Sequence, residues 1–193
     1  MKTIILDIDG TLTDMWPIEK AVLLKMLKKD NALKIESFYK LGIKDTFVLY
    51  KKTSKLNTRK LIYKKMYNDC FLTLQRLKQL PKPVKYPITN WIKNNKNRYQ
   101  FVYATGGQQL ETNYVLKALK LDTIINNKQS INKTNCKYSK ITGIPFKKIK
   151  TRFPDCTLIT DSDSDCIGAT KAKIPFIKIK SGQKTTTDIE ASI

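Results

Sequence analysis

The sequence contains no histidine, the side chain that most often acts as a general base near neutral pH. Hydrolases whose serine or cysteine nucleophile depends on an imidazole are therefore excluded. The four cysteines lie far apart and form no Cys-x-x-Cys pair, so neither a disulfide framework nor a zinc site is expected. We interpret them as small apolar residues of the interior. Acid–base chemistry in this chain must come from carboxylates, lysine, tyrosine or cysteine.

Long apolar runs are also absent. No stretch approaches the roughly 18 consecutive apolar residues that a membrane-spanning helix needs. Asp7 and Asp9 interrupt the apolar N-terminal segment, which favours a first strand over a signal peptide. Glycine and proline are scarce, with 7 of each, and 41% of the residues are hydrophobic, a composition typical of a globular protein. The sequence predicts a cytoplasmic protein without a membrane partner.

Acidic residues are few, with 16 Asp and Glu against 37 Lys and Arg, and the formal net charge is +21. This charge predicts either an anionic partner, such as nucleic acid or a charged substrate, or a compositional bias that leaves a solvated basic surface. Lysine dominates arginine, and aromatic residues do not alternate with basic ones as they do in proteins that bind single-stranded nucleic acid. The compositional interpretation is favoured, and nucleic acid stays open as a partner.

The order of patterns along the chain predicts an α/β fold with an insertion. An apolar run closed by Gly10 predicts a buried parallel strand. Residues 13–80 have helical patterns, including separate helices at 58–67 and 69–80, and "PKP" ends them. Helices then alternate with strands at "YQFVYATGG", "DTIIN", "CTLITD" and "PFIKIK", which predicts a parallel sheet with helices on both faces. The expected domains are an α/β core of residues 1–12 and 81–193 and a helical insertion of residues 13–80.

Residues with chemically useful groups follow the predicted strands, where α/β proteins form their active sites. They are Asp7 and Asp9, then Thr105 with the backbone N–H groups of Gly106 and Gly107, then a loop with Lys133, Lys137 and Lys140, and finally Asp161, Asp163 and Asp165. Carboxylates gathered in one pocket need a cation, and oxygen donors without histidine or cysteine predict Mg²⁺. Such a site suits a phosphate dianion: one carboxylate attacks phosphorus and a second moves the proton of the leaving group. Taken alone, the Asp-x-Asp-Gly run is as often structural.

The ordered set "DIDGT", "YATGG", a loop lysine and "TDSDSD" resembles the haloacid dehalogenase superfamily of phosphohydrolases, from the first strand through "PFIKIK". The resemblance implies a Rossmann-like three-layer α/β sandwich with a parallel sheet. It also implies that the helical insertion is a cap of the first class. Dehalogenases and phosphonate hydrolases of the superfamily lack an acid two residues after the nucleophile. Asp9 stands at that position here, which favours phosphate esters.

The resemblance also implies roles for individual residues. Asp7 matches the nucleophile that forms an aspartyl-phosphate and contacts the metal. Asp9 matches the general acid–base, whose backbone carbonyl also binds Mg²⁺. Thr105 matches the hydroxyl residue that binds the transferring phosphoryl group, and Gly106 offers a backbone N–H to it. Gly10 is also expected to bind the phosphate.

In the last motif, Asp161 matches an acidic metal ligand. Asp165 matches the second acid, which binds the metal directly or orients a water. Asp163 lies between them and is expected to be solvated. The family also has one lysine that pairs with the nucleophile and the phosphate; Lys140 is the first choice, then Lys137, with Lys133 also in the loop. Thr160 stands where the family usually has glycine.

The expected function is a Mg²⁺-dependent phosphatase that hydrolyses a phosphate monoester through an aspartyl-phosphate. Its expected substrate is a small phosphorylated molecule with negative charge beyond the phosphate. Alternatives are a phosphotransferase or phosphomutase, a polynucleotide phosphatase, and a nucleic-acid-binding protein that uses the same fold. The sequence leaves the oligomeric state open.

Overall fold

The computed structural model describes residues 1–27, 31–182 and 189. The chain divides into two compact units. The first, the α/β unit, consists of Met1–Asp14 and Pro83–Ile193, and the second, the helical unit, is the inserted segment Met15–Lys82. Within the described part of the chain, no helix combines the length and the apolar character needed to cross a membrane.

The α/β unit is built on a sheet of four parallel strands. They are β1 (Thr3–Leu6), β2 (Gln100–Tyr103), β3 (Cys156–Thr160) and β4 (Phe176–Lys178). Their order in the sheet is β2-β1-β3-β4, so β1 lies between β2 and β3. Every residue of β1 and β3 is buried, because helices cover both faces of an inner parallel strand. The carboxyl ends of β2, β1 and β3 are therefore neighbours along one edge of the sheet.

Eight α-helices are described. They are α1 (Trp16–Leu27), α2 (Ala32–Lys40), α3 (Thr46–Ser54), α4 (Lys60–Arg76), α5 (Ile88–Asn94), α6 (Gln109–Ala118), α7 (Ile144–Arg152) and α8 (Asp163–Lys171). Alternate strand residues point to opposite faces of the sheet. Val102 joins a buried cluster with Phe146 of α7, whereas Phe101 meets the ring of Trp91 of α5 edge-on, with 5.8 Å between ring centroids. The predicted Rossmann-like α/β fold with a parallel sheet is confirmed.

The helical unit contains α1 to α4. Two helices were expected at 58–67 and 69–80, and this expectation is wrong: α4 runs without a break from Lys60 to Arg76. Asn68 and Asp69 favour turns, but Tyr63, Tyr67, Phe71 and Leu74 are all buried on one side of the helix. Because this apolar spacing continues across the two polar residues, packing holds the helix together there.

The strand expected at "DTIIN" does not form. The N–H groups of Ile124 and Ile125 both donate to the carbonyl of Leu121, which curls this segment into a turn. Ile125 forms an isolated bridge with Phe101 of β2. Ile131 forms one with Ala104, the residue after β2, while its N–H donates to the carbonyl of Tyr103. A 3-10 helix at Asn127–Gln129 lies between them. The chain therefore touches the edge of β2 at two points without extending alongside it.

Candidate active site

Asp7 stands immediately after β1, at the middle of the edge formed by the three strand ends, and it is 5% exposed. Its N–H donates to the carbonyl of Ile159 at 3.1 Å, which continues the pairing with β3 beyond the last residue of β1. Its side-chain Oδ1 accepts the N–H of Ile8 at 2.8 Å. The carboxylate is thereby held in one orientation at the end of a rigid strand.

Lys140 contacts Asp7 across the site. Its Nζ lies 2.7 Å from Oδ1 of Asp7 and 2.5 Å from Oδ2 of Asp165, so one ammonium joins two carboxylates. Lys140 opens a short 3-10 helix, Lys140–Thr142, that leads through Gly143 into α7. The backbone of the two other candidate lysines lies in the same loop, but both side chains are exposed, and that of Lys137 lies over the ring of Tyr138.

Asp165 lies in the first turn of α8 and is fully buried. Besides Lys140, its Oδ2 accepts a hydrogen bond from the hydroxyl of Thr160 at 3.2 Å. The same hydroxyl accepts the N–H of Ser162 at 3.1 Å, at the turn between β3 and α8. Thr160 therefore connects the end of β3 to the buried carboxylate, a contact that glycine at this position could not make.

Asp161 follows β3 directly and packs against the turn that follows β1. Its Oδ1 accepts the hydroxyl of Thr11 at 3.1 Å. Gly10 has φ +77°, and a Cβ added there would lie 2.0 Å from Oδ2 of Asp161. Only glycine fits this position, both for its backbone conformation and for the space that the carboxylate occupies. Gly10 is thus required for Asp161 to approach the β1 turn.

Thr105 follows β2 and is 7% exposed. Its N–H donates to the carbonyl of Ile131 at 2.9 Å, and its hydroxyl accepts the N–H of Gly107 at 3.1 Å. Gly106 between them is exposed, and a Cβ added there would meet nothing within 4 Å. Thr105 and Gly106 lie at the end of the strand next to β1, on the same edge as Asp7.

Two acidic candidates lie at the surface. Asp9 is exposed in the turn after β1 and forms an isolated bridge with Thr13. Asp163 is exposed at the start of α8 and pairs with the ammonium of Lys178. The expectation that Asp163 is solvated agrees with a side chain that is 83% exposed.

Sequence reasoning missed Gly168, which allows the backbone of Lys140 to approach α8 closely. Gly168 is buried in α8, and a Cβ added there would lie 2.1 Å from the carbonyl oxygen of Lys140. Gly143 supports the same contact, since its added Cβ would lie 2.9 Å from Cβ of Lys171. A glycine inside a helix costs about 1 kcal/mol relative to alanine, so Gly168 was the available signal of a close backbone approach.

The electrostatics of the site reflect an excess of negative charge in a buried place. Burial and the nearby charge of Asp7 raise the pKa of Asp161 above its ordinary value, against the hydrogen bond from Thr11. Burial and Asp7 likewise raise the pKa of Asp165, against the attraction of Lys140. Burial disfavours the ammonium of Lys140, but the two carboxylates outweigh it, so the pKa of Lys140 lies above its ordinary value. The carboxylates lack a full complement of positive charge.

The donor chemistry of these residues fits a magnesium ion. Among residues 1–27, 31–182 and 189, no group of three or more His, Cys, Asp or Glu side chains is arranged so that it could hold a metal ion. Mg²⁺ in proteins is, however, often held by one or two carboxylates, with waters and phosphate oxygens completing its shell. Asp7 and Asp161 directly follow the neighbouring strands β1 and β3, and each carries the carboxylate oxygens that such a site uses.

The sequence has no match among protein-family models or among curated proteins. Solved structures do resemble it. The chain is 16% identical to a HAD hydrolase of family IA, variant 3, from Entamoeba histolytica, with a TM-score of 0.72; the match covers 99% of this chain and 89% of that one. It is 14% identical to YfnB from Bacillus subtilis, whose structure is bound to magnesium, with a TM-score of 0.65 and coverage of 92% and 86%.

A third similar structure is CbbY from Rhodobacter sphaeroides in complex with phosphate, at 13% identity and a TM-score of 0.67, with coverage of 96% of this chain and 88% of that one. At these identities the comparison establishes the fold. The fold that the four motifs predicted is confirmed: the chain has the fold of the haloacid dehalogenase-type hydrolases of subfamily IA.

Proposed function

We propose that this protein is a Mg²⁺-dependent phosphatase that hydrolyses a phosphate monoester through an aspartyl-phosphate on Asp7. The observation that carries the proposal is the contact of 2.7 Å between Nζ of Lys140 and Oδ1 of Asp7, at the buried end of an inner strand. A buried carboxylate that is held rigidly beside an ammonium is suited to attack a phosphorus atom whose charge the same ammonium stabilises.

The hydrogen bonds of Asp7 suggest which of its oxygens attacks. Both Ile8 and Lys140 donate to Oδ1, and the structure describes no hydrogen bond to Oδ2 from residues 1–27 or 31–182. Oδ2 would form the bond to phosphorus while the bond from phosphorus to the ester oxygen breaks. Asp9 would protonate that leaving oxygen, and later remove a proton from the water that hydrolyses the aspartyl-phosphate.

The remaining residues would bind the phosphoryl group and the metal. The hydroxyl of Thr105 and the N–H groups of Gly10 and Gly106 would donate to phosphate oxygens, next to Lys140. Asp7, Asp161 and the carbonyl of Asp9 would hold Mg²⁺, with Asp165 acting directly or through a water. When bound, the ion would neutralise phosphate charge and favour the attack by a carboxylate.

The helical unit is proposed to be the cap, of the first class, that the resemblance implies for residues 13–80. A separate compact unit inserted shortly after β1 supports this assignment. Caps exclude water from the reacting groups and carry substrate specificity. The net charge of +21 and the phosphate bound to CbbY support a small phosphorylated substrate with further negative charge. A cytoplasmic location is part of the proposal, and the cysteine spacing, which is not typical of a disulfide framework, supports it.

The test is hydrolysis of an aryl phosphate by the purified chain with Mg²⁺, and again after chelation. Asp7→Asn should reduce turnover to background, because the amide is no nucleophile. Asp163→Asn is the matched control, since it makes the same chemical change at an exposed position, and it should keep full activity. Undiminished turnover by Asp7→Asn, or by the chelated enzyme, would sink the proposal. Product analysis with and without a hydroxyl acceptor separates hydrolysis from phosphoryl transfer.

A further inference from the structure

The end of the helical unit where α3 passes into α4 has a concentrated positive charge. From Thr46 to Asn68 the sequence contains no acidic residue. The same segment contains seven basic residues: Lys51, Lys52, Lys55, Arg59, Lys60, Lys64 and Lys65. All of them except the partly buried Lys64 are exposed. We call the exposed side chains of residues 51–65 the α3–α4 surface.

Aliphatic side chains are exposed within this basic surface. Leu61 is 80% exposed, Leu56 57% and Ile62 51%. On α4, Tyr63 and Tyr67 form the buried side of the helix. With 3.6 residues per turn, Leu61, Ile62 and Lys65 project from the opposite side. Apolar and cationic side chains are thus mixed on one outward face.

We propose that the α3–α4 surface docks on an anionic lipid membrane, with its lysines at the headgroups and its leucine and isoleucine side chains among the acyl chains. This proposal departs from the expectation of no membrane partner, which was drawn from the absence of apolar runs long enough to span a bilayer. Amphipathic surfaces rich in lysine and aliphatic residues bind at such interfaces without crossing the bilayer. The proposal does not depend on the phosphatase activity. A membrane would remove the exposed leucine and isoleucine side chains of this surface from water, and its negative headgroups would complement the positive charge of the lysines.

Nucleic acid is a less suitable partner for this surface. Proteins that bind single strands stack bases on exposed aromatic rings. Here the ring of Tyr63 packs against Phe47 and Tyr50, at centroid distances of 5.1 Å and 5.3 Å, and Tyr50 and Tyr63 are 2% and 4% exposed. The exposed aliphatic residues have no role on a phosphate backbone. A second copy of the chain is disfavoured as well, because two surfaces of the same charge repel each other.

The test measures co-sedimentation with phosphatidylcholine vesicles that contain phosphatidylserine, and with pure phosphatidylcholine as the neutral reference. The triple variant Lys55→Gln, Lys60→Gln and Lys65→Gln should bind anionic vesicles roughly 100-fold more weakly, because each lysine near such a surface contributes about fivefold in affinity. A matched control has Lys117→Gln, Lys147→Gln and Lys148→Gln, three exposed lysines of the α/β unit. It has the same net charge, and its affinity should stay within about threefold of the parent protein.

A second variant, Leu61→Ser with Ile62→Ser, keeps every charge and removes the aliphatic contact. It should bind anionic vesicles about tenfold more weakly, since it loses the transfer of two apolar side chains out of water. Circular dichroism and the melting temperature check that each variant is folded.

Several results would overturn the proposal. The parent protein would fail to bind anionic vesicles, the two triple lysine variants would lose equal affinity for them, or the serine double variant would keep the affinity of the parent protein; each result contradicts the proposal. Tighter binding to a single-stranded RNA, reduced by the first triple and unaffected by the serine variant, would assign the surface to nucleic acid.

Discussion

Gly168→Ala should disable the candidate site through a backbone displacement. In most exposed helices this change stabilises by about 1 kcal/mol. Here the new Cβ would lie 2.1 Å from the carbonyl oxygen of Lys140 and 2.9 Å from Cε2 of Phe146. Non-bonded heavy atoms prefer separations near 3.5 Å, so the segment that begins at Lys140 must move by about 1 Å or more. The ammonium that contacts Asp7 moves with it.

The expected magnitude follows from that displacement. Misplacing a catalytic group by about 1 Å can cost about 100-fold in rate, so kcat of Gly168→Ala on an aryl phosphate should fall about 100-fold. Overpacking costs about 1–3 kcal/mol, which outweighs the gain in helix propensity, and urea unfolding should give a lower free energy of unfolding. Thr170→Ala is the control, an exposed position two residues along the same helix. Parental activity together with increased stability in Gly168→Ala would refute the reasoning.

Three further predictions concern single residues. Thr160→Val should lower the free energy of unfolding by about 1–3 kcal/mol in urea unfolding and reduce kcat, because it removes one of the hydrogen bonds to the buried carboxylate of Asp165. Thr160→Ser should restore both, and a valine variant with unchanged stability and kcat would contradict this. Gly10→Ala should abolish turnover of an aryl phosphate, since its Cβ would lie 2.0 Å from Asp161; retained turnover would show that the turn can adapt. Asp45→Ala should lower the free energy of unfolding by about 1 kcal/mol without changing kcat. The reason is that the Asp45 carboxylate caps α3 by accepting two backbone N–H groups. An unchanged midpoint of urea unfolding would contradict this prediction.

The layout of the strand ends could be predicted because parallel strands have a simple geometry. Apolar runs located β1, β2 and β3, and the residues just after them had to lie at one edge once the strands paired. Asp7, Thr105 and Asp161 stand there in the structure. Continuous apolar runs identified these strands because residues on both of their faces are buried.

Contacts made by irregular segments could not be predicted. Lys140 could be ranked first among the three loop lysines because it lies just before a helix, but the close approach of Gly168 to the Lys140 backbone and the contact of the Lys140 ammonium with Asp165 had no sequence pattern. The break expected near Asp69 and the strand expected at "DTIIN" failed for a related reason. At Asp69 the local preference for a turn is outweighed by the burial of aromatic side chains along one side of α4, so the helix continues. At "DTIIN" the apolar composition favours a strand, but hydrogen bonds to the carbonyl of Leu121 form a turn instead.

The position of β1 has a consequence for how the chain folds. Thr3 pairs with Gln100 of β2 on one side and with Cys156 of β3 on the other. The strand β1 is synthesised first, so it can pair only after these two later strands have been synthesised. The helical unit, by contrast, is continuous in sequence, and even its contact between α1 and α4 lies within residues 15–82. Local contacts form fast, and distant strand pairing is slow. We expect the helical unit to fold first during synthesis, while the apolar β1 stays unpaired and needs protection from aggregation.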